Sequence, residues 1–104
     1  MRPLSHQTIV ITGATSGIGL ATARAAARQG ARLVLVARNE EALQAITDEL
    51  TSRGTHVAYC VADVGRREDL QQAADLAVDR FGGFDTWVNN AGVTIYGRLA
   101  EVSD

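Results

Sequence analysis

Gly13, Gly17 and Gly19 are separated by three residues and then by one, in Thr12-Gly13-Ala14-Thr15-Ser16-Gly17-Ile18-Gly19. This spacing suits the binding of a phosphate or pyrophosphate. Gly13 can turn the chain sharply where a side chain would strain the backbone. Gly17 can let the backbone come close to an anion, and Gly19 can let a following helix lie close to a sheet. The first turn of such a helix offers unpaired N–H groups and the positive end of its dipole. A glycine-rich turn alone could be a tight turn with no ligand. The phosphate reading requires that it follow a strand and open a helix.

Three further groups carry candidate chemistry. Arg38, in Ala37-Arg38, stands where a carboxylate would accept from ribose hydroxyls. A guanidinium there can instead pair with a phosphate through two charge-assisted hydrogen bonds, which favours NADP over NAD. The alternative is a solvated arginine that opens a helix. Asp63, in Ala62-Asp63-Val64-Gly65, could accept from an adenine amino group or cap a helix that starts near Arg66. Asn89-Asn90-Ala91-Gly92 could satisfy backbone groups or meet a ribose, with small residues leaving room for a flat ring. Taken singly, it is a plain turn.

The elements that must position these groups are legible in the periodicity. Apolar runs at Thr8–Thr12, Arg32–Ala37, Val57–Ala62 and Thr86–Asn89 read as strands. Between them, Gly17–Gln29, Glu40–Arg53 and Arg66–Phe81 read as helices, the third with an apolar stripe of Leu70, Ala73, Ala74, Ala77, Val78 and Phe81. Leu43, Ile46 and Leu50 make the stripe of the second, and Gly30, Gly54 and Gly82-Gly83 stand at the three helix exits. Alternation of this kind predicts an α/β fold, a parallel sheet covered by helices on both faces. The four candidate groups then fall at the C-terminal ends of four successive strands, where open α/β sheets bind ligands.

The composition bounds the rest. The chain has 104 residues, 46% of them hydrophobic, and a net charge of −2. Nothing in it suggests a nucleic-acid face or a membrane-binding basic run, and no apolar stretch is long enough to span a bilayer. A cytoplasmic protein is the default expectation. Cys60, the single cysteine, sits in an apolar run and is expected to be a buried structural thiol. All ten basic residues are arginine.

On the Thr12–Gly19 pattern, Ala37-Arg38, Asp63-Val64 and Asn89–Gly92, the chain resembles the short-chain dehydrogenase/reductase family over essentially its whole length. The resemblance implies a Rossmann-type doubly wound sheet with strand order 3-2-1-4. It implies cofactor contacts from Gly13, Thr15, Ser16, Gly17, Ile18 and Gly19 to ribose and pyrophosphate. Arg38 would meet the 2′-phosphate of NADP, Asp63 and Val64 the adenine, and Asn90, Ala91 and Gly92 the ribose region. Asn89 would brace the sheet toward Thr12.

By the same likeness, the reaction is hydride transfer between nicotinamide and a carbonyl or alcohol, in an enzyme that is a homo-oligomer when complete. The family's catalytic serine and its Tyr-x-x-x-Lys pair lie in a later half. Here Tyr59 is followed four residues on by Asp63 and Tyr96 by Ala100, and lysine is absent. No catalytic residue is therefore assigned to this chain. Residues 1–104 are expected to be the dinucleotide-binding half of a single Rossmann domain, cut after its fourth strand and inactive alone. Trp87 and Val88 should then lie beside an unpaired sheet edge, and Tyr96 should line a loop near the substrate. Two other functions stay open: a non-catalytic nucleotide-binding or regulatory module, and a fragment that associates through its open edge.

Overall fold

Strands and helices alternate as the periodicity requires. The structure, a computed structural model, describes residues 4–63, 65–90 and 94–96, the last three and Leu4 as backbone. The elements are β1 (Thr8–Thr12), α1 (Gly17–Arg28), β2 (Arg32–Ala37), α2 (Glu40–Ser52), β3 (Val57–Val61), α3 (Arg67–Phe81), β4 (Thr86–Asn89) and β5 (Thr94–Tyr96). The sheet order is β3-β2-β1-β4-β5. The first four strands are parallel and reproduce the expected 3-2-1-4 order.

Successive strand residues serve opposite faces, so each strand feeds two cores. Ile9, Ile11, Leu33 and Leu35 pack under α1 and α2 against Ala23, Leu43, Ile46 and Leu50. Val10, Val34, Val36 and Trp87 pack on the other face against Ala73 and Ala77 of α3. Burying each larger side chain contributes about 1.5–3 kcal/mol. The edge of Trp87 also meets Phe84, with ring centroids 5.4 Å apart.

Two expectations need correction. The edge of β4 is paired: β5 runs antiparallel to it, with Trp87 opposite Tyr96, Val88 opposite Ile95 and Asn89 opposite Thr94. Thr94-Ile95-Tyr96 is β-branched and aromatic, which suits a strand, but it is too short to carry a periodicity signal. Tyr96 therefore belongs to a strand backbone and not to a loop. In α3, Val78 is 57% exposed. Ala73 and Ala77 face the sheet, and Val78, about 100° further around the helix, leaves the buried stripe. Leu76 packs at its margin instead.

The lower end of the sheet is closed by polar pairs. Thr8 N–H donates to Asp85 Oδ2 at 2.9 Å, and Asp85 N–H returns the bond to the Thr8 carbonyl at 2.8 Å. This leaves the opposite, C-terminal edge as the place where loops and helix N-termini gather. Among the described residues no helix is long and apolar enough to cross a membrane, and no cluster of His, Cys, Asp and Glu could hold a metal ion.

Candidate functional site

The glycine turn meets both structural conditions set by its sequence. It leaves β1 at Thr12 and enters α1 at Gly17. Gly13 and Gly17 both have positive φ, 64° and 54°, where an L side chain is strained. A Cβ on Gly19 would run into the Gly13 carbonyl oxygen and lie 2.8 Å from its carbon, so helix and turn touch through bare backbone. Ala14 N–H ties the turn to the Val36 carbonyl at 3.3 Å.

Among the described residues, the N-terminus of α1 has no side-chain cap. Ser16 is its N-cap in an extended conformation, yet its side chain makes no capping bond, and the first turn holds no acidic residue. The other two helices differ. In α2, Asn39 accepts from Ala42 N–H and Glu40 and Glu41 fill the first turn. In α3, Glu68 and Asp69 do so. The first turn of α1 thus holds no carboxylate of its own to offset the positive end of the dipole. Ser16, Gly17 and Ile18 are exposed there, Ile18 at 69%.

An open cleft of about 470 Å³ lies beside this turn, lined by Gly13, Thr15, Ala37, Arg38, Asn39, Ala62 and Asp63. The structure thus brings together Gly13, Thr15, Arg38 and Asp63 from the ends of three strands. Ala37 and Ala62, which also line the cleft, are buried and small, so they put no bulky side chain into it. Arg38 is exposed and makes no ion pair among the described residues. Asn39 is a lining residue that sequence reasoning missed. Its signal was an Asn directly before Glu40-Glu41, a helix-capping pattern.

Asp63 is half-buried and serves a turn instead of capping the helix. Its Oδ1 accepts from Gly65 N–H at 2.9 Å, while α3 starts after Arg66. Asp69, also missed from the sequence, reaches back from the first turn of α3 and accepts from Asp63 N–H at 2.7 Å. At the end of β4, Thr12 Oγ1 donates to Asn89 Oδ1 at 2.9 Å, the brace expected of Asn89. Asn90 Nδ2 donates to the Thr12 carbonyl at 3.0 Å, which places Asn90 beside the start of the glycine turn. Val64, Ala91 and Gly92 lie outside the described residues.

Two titratable groups border the region. Tyr59 donates from its hydroxyl to Glu40 Oε2 at 3.2 Å. Burial, and then the Glu40 bond, push its phenol above the usual range, so it holds its proton at neutral pH. Cys60 is half-buried, and burial followed by the Asp69 charge pushes its thiol up as well. Neither group is primed as a base or nucleophile.

Comparison with known proteins gives the arrangement its family. The short chain dehydrogenase family model matches residues 7–104. An uncharacterised oxidoreductase of Bacillus subtilis (strain 168) is 52% identical over 103 residues, covering 99% of this chain and 29% of the relative. The A-factor type γ-butyrolactone 1′-reductase (1S-forming) of Streptomyces virginiae is 46% identical over 86 residues, covering 83% of this chain and 34% of the relative. The chain thus spans about a third of the length of these curated relatives.

Among solved structures, L-sorbose reductase from Gluconobacter frateurii, complexed with NADPH and L-sorbose, superposes with a TM-score of 0.81 at 38% identity. That match covers 85% of this chain and 34% of the reductase. A short-chain dehydrogenase/reductase from Burkholderia phymatum in complex with NAD gives 0.80 at 36% identity, covering 84% and 31%. Sequence, sheet order and glycine turn agree: the chain belongs to the short-chain dehydrogenase family of oxidoreductases.

Proposed function

We propose that residues 1–104 form the NADP(H)-binding half of a dehydrogenase or reductase that moves hydride between nicotinamide and a small carbonyl or alcohol compound. The observation that carries this reading is the cleft at the strand ends, with the bare N-terminus of α1 on one side and Arg38, free of any described carboxylate partner, on the other. The residues fit the cofactor. Gly13, Thr15, Ser16, Gly17, Ile18 and Gly19 would hold ribose and pyrophosphate by backbone N–H groups and hydroxyls. Arg38 would pair with the 2′-phosphate. Asp63 and Val64 would meet the adenine, and Asn90, Ala91 and Gly92 the ribose region.

When bound, the nicotinamide supplies the hydride chemistry. The residues of this chain would bind and orient it: Ala37 and Ala62 put no bulky side chain in its way, and the Thr12–Asn89 bond ties β1 to β4. No residue here is assigned to proton transfer. On this reading the complete enzyme works on a small molecule in the cytoplasm as a homo-oligomer.

The test is Arg38→Asp, with NADPH and NADH titrated into the full-length protein. Losing a charge-assisted bond to phosphate should weaken NADPH by about ten- to a hundredfold. NADH affinity should hold or improve. Equal changes for the two cofactors would refute the phosphate assignment, and no binding of either would refute the cradle.

A further inference from the structure

Asp69 is not a lining residue of the cleft, yet it has a direct hold on one that is. Its Oδ2 accepts from the Asp63 backbone N–H at 2.7 Å. The short distance fits a charged acceptor. The backbone on either side is secured too. Ala62 N–H donates to the Ala37 carbonyl at 2.9 Å, and Arg66 N–H donates to the Asp63 carbonyl at 3.0 Å. The Asp63 side chain bends onto Gly65, its Oδ1 taking the Gly65 N–H at 2.9 Å. A Cβ on Gly65 would come within 3.3 Å of that same oxygen, so the absence of a side chain there leaves room for the carboxylate. Oδ2 of Asp63 has no hydrogen-bond donor among the described residues, and Asp63 lines the cleft.

We propose that Asp69 is a positioning residue for base selectivity: by fixing the Asp63 backbone from the first turn of α3, it holds the Asp63 carboxylate where one oxygen is left to accept from a 6-amino purine. This rests on the reading that Asp63 meets the adenine. A carboxylate oxygen accepts from the amino group of adenine and repels the 6-oxo oxygen of hypoxanthine. The preference for an amino over an oxo purine therefore measures where that oxygen is held. Asp69 carries none of this contact itself. Its effect passes through one backbone hydrogen bond, and the bond needs an acceptor atom at the end of a two-carbon side chain.

The experiment uses the full-length protein and measures Kd for NADP+ and for its hypoxanthine analogue, in which oxygen replaces the 6-amino group. The ratio of the two is the readout, because loss of general stability or of phosphate contacts moves both constants together. Asp63→Ala should lower the adenine preference by about tenfold or more, as expected for loss of a charged acceptor. Asp69→Ala should lower it by about three- to tenfold, since the acceptor is displaced and not removed. Asp69→Asn keeps an oxygen in place and should restore the preference to within about twofold of the parent. Gly65→Ala, which crowds the carboxylate from the other side, should lower it as Asp69→Ala does.

If Asp63→Ala leaves the ratio unchanged, the adenine assignment itself is wrong. If Asp63→Ala lowers the ratio while Asp69→Ala and Gly65→Ala leave it at the parent value, the assignment stands and the positioning role is overturned. Should Asp69→Ala not fold, Asp69→Ser supplies the same comparison. It keeps a residue favoured at a helix start but withdraws the reach of the acceptor.

Discussion

Replacing Gly19 by alanine sets two effects of known sign against each other. Gly19 lies in the first turn of α1, with no positive φ to forbid a side chain. On helix propensity alone, Gly19→Ala should stabilise the protein by about 1 kcal/mol. The close approach of helix and turn opposes this. The new Cβ would run into the Gly13 carbonyl oxygen, 2.8 Å from its carbon and 3.2 Å from the Ala14 Cα. Carbon atoms rest comfortably at about 3.5–4.0 Å, so the turn or the helix must move by nearly 1 Å. Overpacking of this kind costs about 1–3 kcal/mol, and backbone against backbone belongs at the upper end. The net effect is a loss of about 1–2 kcal/mol. In a complete domain of about 150–250 residues, that lowers Tm by about 2–8 °C.

The same displacement moves the turn relative to Arg38 and Asp63. Misplacement by about 1 Å can cost a hundredfold where geometry is exacting. NADPH affinity should fall by about tenfold or more, on that scale. Thermal or denaturant unfolding, with and without NADPH, reads both effects at once. A variant as stable as the parent, or more so, with unchanged NADPH binding, would refute the claim that Gly19 exists for contact with the turn.

Gly17→Ala should behave differently, because φ is 54° and a Cβ there meets nothing within 4 Å. It should cost about 1–2 kcal/mol from backbone conformation, and it should weaken NADPH in isothermal titration, since the new methyl group enters the anion's approach. Arg24 and Glu49 join α1 to α2 through two bonds of 2.9 Å. The Arg24 hydrogen bond, ahead of its charge, lowers the Glu49 carboxyl pKa. The pair therefore stabilises above the carboxyl's unfolded pKa and loses its contribution as pH falls through the lower folded value. Glu49→Gln should flatten that acid limb in unfolding curves taken from pH 7 downward. Cys60, raised by burial first and Asp69 second, should alkylate with iodoacetamide more slowly at pH 8 than an exposed thiol, and faster in Asp69→Asn. Leu50→Ala, at a side chain 1% exposed under the sheet, should destabilise by about 2–5 kcal/mol by denaturant titration.

What the sequence disclosed follows a physical division. The strand runs and helix stripes are periodic over five residues or more, and β1 to β4 fall where the runs place them, within a residue at each end. The Thr12–Asn89 bond links residues 77 positions apart. It was expected from a resemblance and not from spacing, because no local pattern encodes a contact across a sheet. Short elements and reach-back contacts were lost for the same reason. The three residues of β5 give no alternation to count. Asp69 follows Glu68 in the sequence with nothing local to link it to Asp63, and only the folded chain brings its carboxylate onto the Asp63 amide. Val78 fitted a helical stripe, yet the fully buried positions of α3 are only Ala73 and Ala77, a narrower strip than the periodicity suggests.

The charges at the three helix starts explain why one fold edge offers one anion cradle. After parallel strands, α1, α2 and α3 all begin at the C-terminal edge of the sheet, and each brings the positive end of its dipole there. An anion could in principle settle at any of them. In α2 the site is taken by the Asn39 side chain on Ala42 N–H, with Glu40 and Glu41 adding negative charge. In α3, Glu68 and Asp69 put negative charge in the first turn, and the Asp69 carboxylate is turned onto the Asp63 amide. Among the described helices, α1 alone has a first turn with neither a side-chain cap nor an acidic residue, and its glycines leave the backbone open to an anion. Placing an acid there tests this directly. Ile18→Glu, at a position 69% exposed, should favour the helix dipole and raise stability by about 0.3–1 kcal/mol. The same charge should repel the pyrophosphate and weaken NADPH and NADH alike, unlike Arg38→Asp, which should weaken NADPH alone. Unchanged binding of both cofactors in the glutamate variant would mean that the pyrophosphate does not rest on α1.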